Sequence, residues 1–305
     1  MESAELFREA THAGSWYSAN KSKLRSELEK EFSEAAKTKI SLPESSFLKA
    51  IISPHAGYSY CLSTAVHSYQ YINPSLYKRI ILMGPSHHAH LEGIALPEPD
   101  MKYYKTPLGN LQLDSEEIHK LREQGKAMDK EVLVMQKEVD EEEHSMEMQM
   151  PLIKYVFKDA IDLKIVSVLV GDVKEKEFAD MFDVYVKDRE SLFVVSSDFC
   201  HWGKRFGFMY YDKLDGEIYQ SIEKLDRMGM DAIETGKEEE FTQYLKKYKN
   251  TICGRNPILI MLSAFQKSGV KFNTNFVQYK QSGQVTDFHD SSVSYATSTT
   301  VVFDE

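Results

Sequence analysis

The chain has 305 residues, with 37 basic and 47 acidic side chains, a net charge of −10, 42% hydrophobic residues and 28% charged ones. That length sustains one large α/β domain with a sizeable core, and no break in composition calls for a second. The acidity argues against a nucleic-acid or anionic-lipid partner, and no apolar run approaches the roughly eighteen residues of a membrane span.

The first residues, Met1 to Phe7, carry acids and no apolar stretch, which predicts neither a signal nor a transit peptide. Thr11-His12-Ala13-Gly14-Ser15-Trp16-Tyr17 reads as an irregular aromatic loop. Leu24, Leu28, Phe32 and Ala35 predict a helix from Asn20 to Lys37. The apolar run Ala50-Ile51-Ile52 ends in Pro54-His55-Ala56-Gly57-Tyr58, and Leu62, Ala65, Val66, Tyr69 and Ile72 mark a returning helix that stops before Asn73-Pro74. A second run, Arg79 to Met83, is broken by Gly84-Pro85 and followed by His87 and His88. The unit is β-α-β, so its two strands are expected to be parallel.

From His90 to Gly109 the chain is rich in Pro and Tyr and predicts an excursion or short hairpin. A helix over Ser115–Gln124, capped at Asp114 or Ser115, and a short strand at Val132–Val134 follow. The acidic run Asp140 to Glu147 reads as the start of a helix carrying Met146, Met150, Ile153 and Phe157, where acids suit the helix dipole. Leu163–Gly171 predicts a strand and Glu175–Tyr185 a helix. A third histidine-bearing strand, Leu192–Ser196, runs into Ser197-Asp198-Phe199-Cys200-His201. Helices are expected at Asp212–Met228 and Glu238–Lys249, and another opening with Asn256 as cap and Pro257 as first residue, closed by Gly269. Lys271–Tyr279 and Ser292–Phe303 predict closing strands.

Three apolar strands thus end in polar turns, and in an open α/β sheet ligands gather beyond the carboxyl ends of the strands. If the three are parallel neighbours, His55, His87, Asp198 and His201 converge on one crevice. Paired imidazoles begin a metal site suited to zinc, copper or iron. Cys253, just ahead of a helix and two residues before Arg255, is placed to favour a thiolate that binds a metal or attacks an electrophile. Asp198 and His201 are candidates for ligands, for orienting groups or for a general acid/base pair. His144, behind four acids, is a candidate acid/base residue, and His12 and Trp16 are candidate pocket walls. His67, His119 and His289 lack such context. Cys61 and Cys200 read as structural, and three cysteines without a CxxC pair predict a reducing, cytosolic compartment. No Gly-rich phosphate loop, GxSxG elbow or HExxH helix is present.

Thr11 to Tyr17, Pro54 to Tyr58, Gly84 to His88, Asp140 to Glu147, Ser196 to Gly203, Tyr244 to Arg255 and Asp290 to Tyr295 together resemble the Memo family, eukaryotic branch, over nearly the whole chain. The resemblance implies that residues 1–305 form a single α/β domain, with a central mixed, largely parallel sheet flanked by helices, similar to class III, LigB-type non-haem iron dioxygenases. Those enzymes hold Fe(II) with two histidines and a carboxylate. The positions resembling the histidines are His55 and His87, and the third looks like Cys253, a departure that shifts preference toward copper, or iron of altered potential, and away from ring cleavage. Asp198 and His201 match pocket residues beside the metal, and Trp16 a residue associated with peptide binding. The resemblance also implies a cytosolic, and also nuclear, signalling protein linked to phosphotyrosine receptor peptides, microtubules, cell migration and copper- or iron-dependent redox chemistry.

Two main readings result. One is a redox protein, a metal-dependent oxidoreductase acting on a small molecule or oxygen, with iron(II) or copper on His55, His87 and Cys253, and Asp198, His201 and His144 handling protons. The other is a signalling adaptor that uses the same crevice, with Trp16, His12 and Arg255, to bind phosphotyrosine or other peptides. A zinc hydrolase is a third reading, since a His-His-Cys set with an open position also suits zinc.

Overall fold

Runs of Ile, Val and Leu that alternate with no polar parity bury both faces only as inner strands of a covered sheet. In the computed structural model, which describes residues 6–303 other than 175 and 177, that is where they lie. In chain order the elements are β1 (Leu6–Arg8), α1 (Lys21–Ala36), β2 (Ser46–Ser53), α2 (Tyr58–Tyr69), β3 (Arg79–Pro85), β4 (Ile94–Pro97), β5 (Met101–Tyr104) and β6 (Leu111–Leu113). Then come α3 (Ser115–Ala127), β7 (Val132–Met135), α4 (Lys137–Glu142), α5 (His144–Glu147), α6 (Met150–Val156), β8 (Lys164–Val170), α7 (Ala179–Lys187), β9 (Ser191–Ser196) and β10 (His201–Trp202). The chain closes with α8 (Ile218–Glu234), α9 (Glu238–Tyr248), α10 (Arg255–Ser268), β11 (Phe272–Gln281) and β12 (Ser292–Phe303).

The strands form one mixed sheet in the order β1-β5-β6-β8-β3-β9-β2-β12-β10, with β11 on β12, and β4 joining β7 to β8. Along the main path from β6 to β2 every neighbouring pair is parallel, and antiparallel pairing flanks it at β5–β6, at β4 on β8 and at β2–β12. Ile80 to Met83 of β3 and Leu192 to Val195 of β9 have no exposure. Helix α10 packs with α7 against β3 and β9, while α2 lies on β2, β11 and β12 with α1 behind it. The result is a single α/β domain with helices on both faces of the sheet.

The strands that end in His55, His87 and Asp198 are parallel neighbours in the order β3-β9-β2. The β-α-β expectation is met in direction, although β9 sits between β2 and β3. Asn20 caps α1 and Asp114 caps α3, each accepting a hydrogen bond from a first-turn amide.

Several boundaries differ from expectation. The helix predicted from Asp212 starts instead at Ile218, because Asp212 caps a single 3-10 turn and Gly216, at φ 98°, breaks the chain before the Glu217/Gln220 capping box. Helix α10 begins at Arg255 with Gly254 as cap, and Asn256 sends its side-chain amide to the Gly171 carbonyl instead. Helix α7 starts at Ala179, and the predicted start at Glu175, like the residues before Leu6, lies outside the described residues. The acidic run is not the start of one helix: it is split between α4 and α5, the expected Met150, Ile153 and Phe157 lie on or just after a separate α6, and Asp140, Glu143 and Glu147 are buried.

Gly84 admits that packing. A Cβ added there would lie 2.6 Å from Ser145 Oγ and 2.8 Å from Met146 Cγ. Gly84→Ala is therefore expected to push α5 off the end of β3 and to destabilise the fold by about 1–3 kcal/mol, as seen in the midpoint of urea unfolding at unchanged slope.

Candidate metal centre

Three turns meet at one edge of the sheet because β3, β9 and β2 run in parallel register and stop together. The turn after β9 binds the turn after β2 directly, through the His55 amide donating to Asp198 Oδ1 at 2.8 Å. His55 itself is buried. Its Nδ1 lies 2.8 Å from Ser196 Oγ, and that hydroxyl gives its proton to the Ser145 carbonyl at 2.6 Å. The Ser196 oxygen must then accept from the ring, which places the proton on Nδ1 and leaves the Nε2 lone pair facing the crevice.

His87 is oriented by the same logic. Glu143 accepts from the His87 amide at 2.6 Å and from its Nδ1 at 2.9 Å, and also from the Ser145 amide at 2.8 Å. A carboxylate only accepts when ionised, so Nδ1 carries the proton and Nε2 again faces inward. His144, the residue after Glu143, stacks on His87 with ring centroids 4.5 Å apart. Ring nitrogens of His55, His87 and His144 lie within 4.8 Å of one another, a cluster that can hold a metal ion. The buried Nδ1 of His144 has no hydrogen-bond partner among the described residues, and the Glu143 carboxylate stands 3.5 Å from it.

Cys253 enters from the turn between α9 and α10. Its Sγ lies 3.2 Å from His55 Nε2 and accepts from the Asp198 amide at 3.2 Å. Gly254 makes this approach feasible, since a Cβ there would lie 2.3 Å from Ser197 Cβ. His201 Nδ1 donates toward the carbonyls of Phe199 (2.9 Å) and Thr251 (3.1 Å), so its Nε2 is the free nitrogen. Arg255 is exposed and donates to the Ile252 carbonyl. A cleft of about 410 Å³, lined by His87, His88, His90, Asp172, Cys253 and Asn256 among others, opens the cluster to solvent.

The electrostatics of the centre separate its histidines. Burial, reinforced by the charges of His87, His144 and His201, holds His55 well below the usual imidazole range. Burial also lowers His144, with His87 as the next cause, to about 3. For His87 burial works the same way, but hydrogen bonds to Cys253 and Glu143 outweigh it and raise the ring to about 10. Burial pushes the Cys253 thiol up, against the hydrogen bond from His87, so the helix start and Arg255 do not by themselves make it a thiolate. Asp198 is raised, chiefly by burial, and partly restored by His201 and the His55 amide.

Trp16 covers one side of the cluster, its ring 4.5 Å from that of His144, and His12 stands edge-on to it at 5.7 Å. Glu147 holds their loop: it accepts from the His12 amide and Nδ1, both at 2.9 Å, from Tyr17 Oη at 2.7 Å and from Arg8 Nη1 at 2.5 Å. Arg8 is fully buried and also binds Asp140, whose other oxygen accepts from Tyr104. The centre therefore contains all the residues singled out above except Arg255, which lies at the cleft mouth. Glu143, Ser196, Glu147 and Arg8 were not singled out. The acids had an adequate explanation in the helix dipole, and nothing local marks Arg8 as their partner.

A family model described as Memo-like protein matches residues 8–299, a span that holds every residue of this centre. The chain belongs to the Memo family. It is 46% identical over 309 aligned positions to Protein MEMO1 of Xenopus laevis, covering 99% of this chain and 100% of that protein. Protein MEMO1 of Homo sapiens is 45% identical over 303 positions, with 97% and 98% covered. Protein memo-1 homolog of Caenorhabditis elegans is 42% identical over 300 positions, with 96% and 82% covered. Family membership thus extends across the whole α/β domain.

Burial disfavours the charge of Glu147, but His12, Arg8 and Tyr17 together lower it from 4.5 to about 2. A group whose pKa falls on folding stabilises the native state above its unfolded pKa and ceases to do so as pH drops through the folded value. The thermal midpoint is expected to decline between pH 4.5 and 2, and Glu147→Gln, lower in stability at neutral pH, is expected to show a shallower acid limb in the same melting series.

Proposed function

We propose that the chain holds one iron or copper ion on His55, His87 and Cys253 and acts as a metal-dependent redox protein. The observation that carries this reading is the pair of inward Nε2 atoms, each fixed by an outward Nδ1 hydrogen bond, beside the Cys253 sulfur 3.2 Å from one of them. A soft thiolate with two imidazoles suits copper, or iron of altered potential, and the bound ion would supply one-electron chemistry. Glu143 and Ser196 hold the two rings in the required tautomer. His144, kept neutral by burial and by His87, accepts or relays a proton at its unpartnered Nδ1. Asp198 and His201 orient the Cys253 turn and hold protons on its far side. Trp16 limits water on the remaining face. Cys253 in the place of a carboxylate puts aromatic ring cleavage outside this reading, and three free cysteines fit a reducing, cytoplasmic setting.

Ligation requires His87 and Cys253 to give up their protons, so affinity is expected to rise with pH. Protein purified without air and reconstituted with Fe(II), Cu(I) or Zn(II) is expected to retain about one equivalent of iron or copper by mass spectrometry. Cys253→Ser and His87→Ala are expected to retain little while staying folded. Glu143→Gln is expected to bind about 10- to 100-fold more weakly, as loss of a carboxylate that orients a ligand histidine does. Absence of metal from the reconstituted parent would reject the reading, and retention of zinc alone would move it to the hydrolase class.

A groove of about 550 Å³ on the other side of Trp16, lined by Tyr58, Lys280 and the pairs Lys23–Glu27 and Lys30–Glu31 but by neither His12 nor Arg255, favours a second reading, an adaptor that binds phosphotyrosine peptides there and not in the crevice of the histidines. Titration with a tyrosine-phosphorylated peptide tests it. Binding that Trp16→Ala abolishes supports the groove, and binding indifferent to Trp16 rejects it.

A further inference from the structure

Asp226 lies on α8, outside the centre, and is fully buried. Hydrogen-bond donors and no cation surround it among the described residues. Its Oδ1 accepts from the Cys200 amide at 3.2 Å and from the Asn250 side-chain amide at 2.9 Å, and its Oδ2 from Tyr279 Oη at 2.9 Å. Cys200 stands between Asp198 and His201, and Asn250 three residues before Cys253. One carboxylate therefore ties together, at their base, the two turns that carry the proton-handling pair and the thiol.

Above that tie the turns are stitched to each other. The His201 amide donates to Thr251 Oγ1 at 2.7 Å, the Asp198 amide to Cys253 Sγ at 3.2 Å and the Gly254 amide to Ser197 Oγ at 3.1 Å. Asn250 Nδ2 also donates to Tyr244 Oη at 2.8 Å, so both of its protons are placed while its Oδ1 has no partner among the described residues. That orientation needs an acceptor where the Asp226 Oδ1 stands, and Asp226 supplies it to both turns at once. Burial pushes Asp226 up to about 6, so it is ionised at neutral pH. The groups facing it are Tyr279 and Tyr244, Cys200, Ser294 and Asn250, with the Arg227 guanidinium 5.0 Å from the Tyr279 ring.

We infer that Asp226 is a positioning residue for Cys253, holding the α9–α10 turn against the turn after β9 so that the sulfur faces His55 and His87. The inference rests on the reading of Cys253 as a metal-facing thiol, and its test does not require the metal.

Parent, Asp226→Ala, Asn250→Ala and Tyr279→Phe are compared at pH 7.5 after melting curves establish which are folded. The first readout is the rate of Cys253 alkylation by iodoacetamide in metal-free protein, resolved from Cys61 and Cys200 by peptide mass spectrometry. The second is the near-ultraviolet thiolate-to-metal band on titration with Co(II). Asp226→Ala is expected to alkylate Cys253 about tenfold faster and to lose most of the cobalt band, as loss of the buried acceptor shared by both turns frees them. Tyr279→Phe, which cuts the tie to β11 but leaves both turns attached, is expected to match the parent. A folded Asp226→Ala with parental alkylation overturns the inference, and so does an equal acceleration in Tyr279→Phe. If Asp226→Ala does not fold, Asn250→Ala cuts the same tie from the other side and decides by the same rates. A parent without a cobalt band rejects the metal reading while the alkylation rates still judge Asp226.

Discussion

The parallel pairing of β9 with both β3 and β2 makes three turns start at one edge of the sheet. Each turn leaves a covered strand whose side chains admit no slippage, because a one-residue shift would turn the buried set toward the wrong layer. The imidazole of His55, the imidazole of His87 and the carboxylate of Asp198 are thereby carried to one place by the core itself. A centre built on strand ends is held more tightly than one built on free loops, and its neighbouring turns need only be fastened to it.

That fastening is polar and buried. Glu143 orients His87 and starts α5, Glu147 gathers His12, Tyr17 and Arg8, and Asp226 joins the turns of His201 and Cys253. A buried carboxylate costs free energy unless donors surround it, and removing one donor leaves the charge stranded. These three acids therefore act as rigid joints rather than as surface charge. Arg8 has the same character in reverse: burial works against its guanidinium, and Asp140 and Glu147 more than restore it.

Much of this was legible in the residue pattern. The three strand-turn-histidine segments, the cap at Asp114 and the stop at Gly269 depend on short-range chemistry that a local reading captures. The acidic run was misread because a helix dipole and a buried network both ask for carboxylates, and only the fold brings Arg8 from 132 residues away to Asp140. The start of α8 was misplaced for a similar reason. The mostly polar stretch from Asp212 to Glu217 suits a helix as well as a 3-10 turn, and Gly216, at a φ of 98°, decides between them.

The sequence by itself determined which side chains have the chemistry: imidazoles and a carboxylate directly after buried strands, and a cysteine just ahead of a helix. Strand periodicity, turn residues and capping are set within a few residues, so they are readable without the fold. Tertiary structure alone decided which of those groups meet. It placed β9 between β2 and β3, brought His144 into the cluster from a separate excursion, assigned each ring its tautomer through Ser196 and Glu143, and made burial rather than the helix end govern the Cys253 thiol. Those outcomes depend on contacts between residues far apart in the chain and on the exclusion of water from them, and neither is encoded in any local stretch.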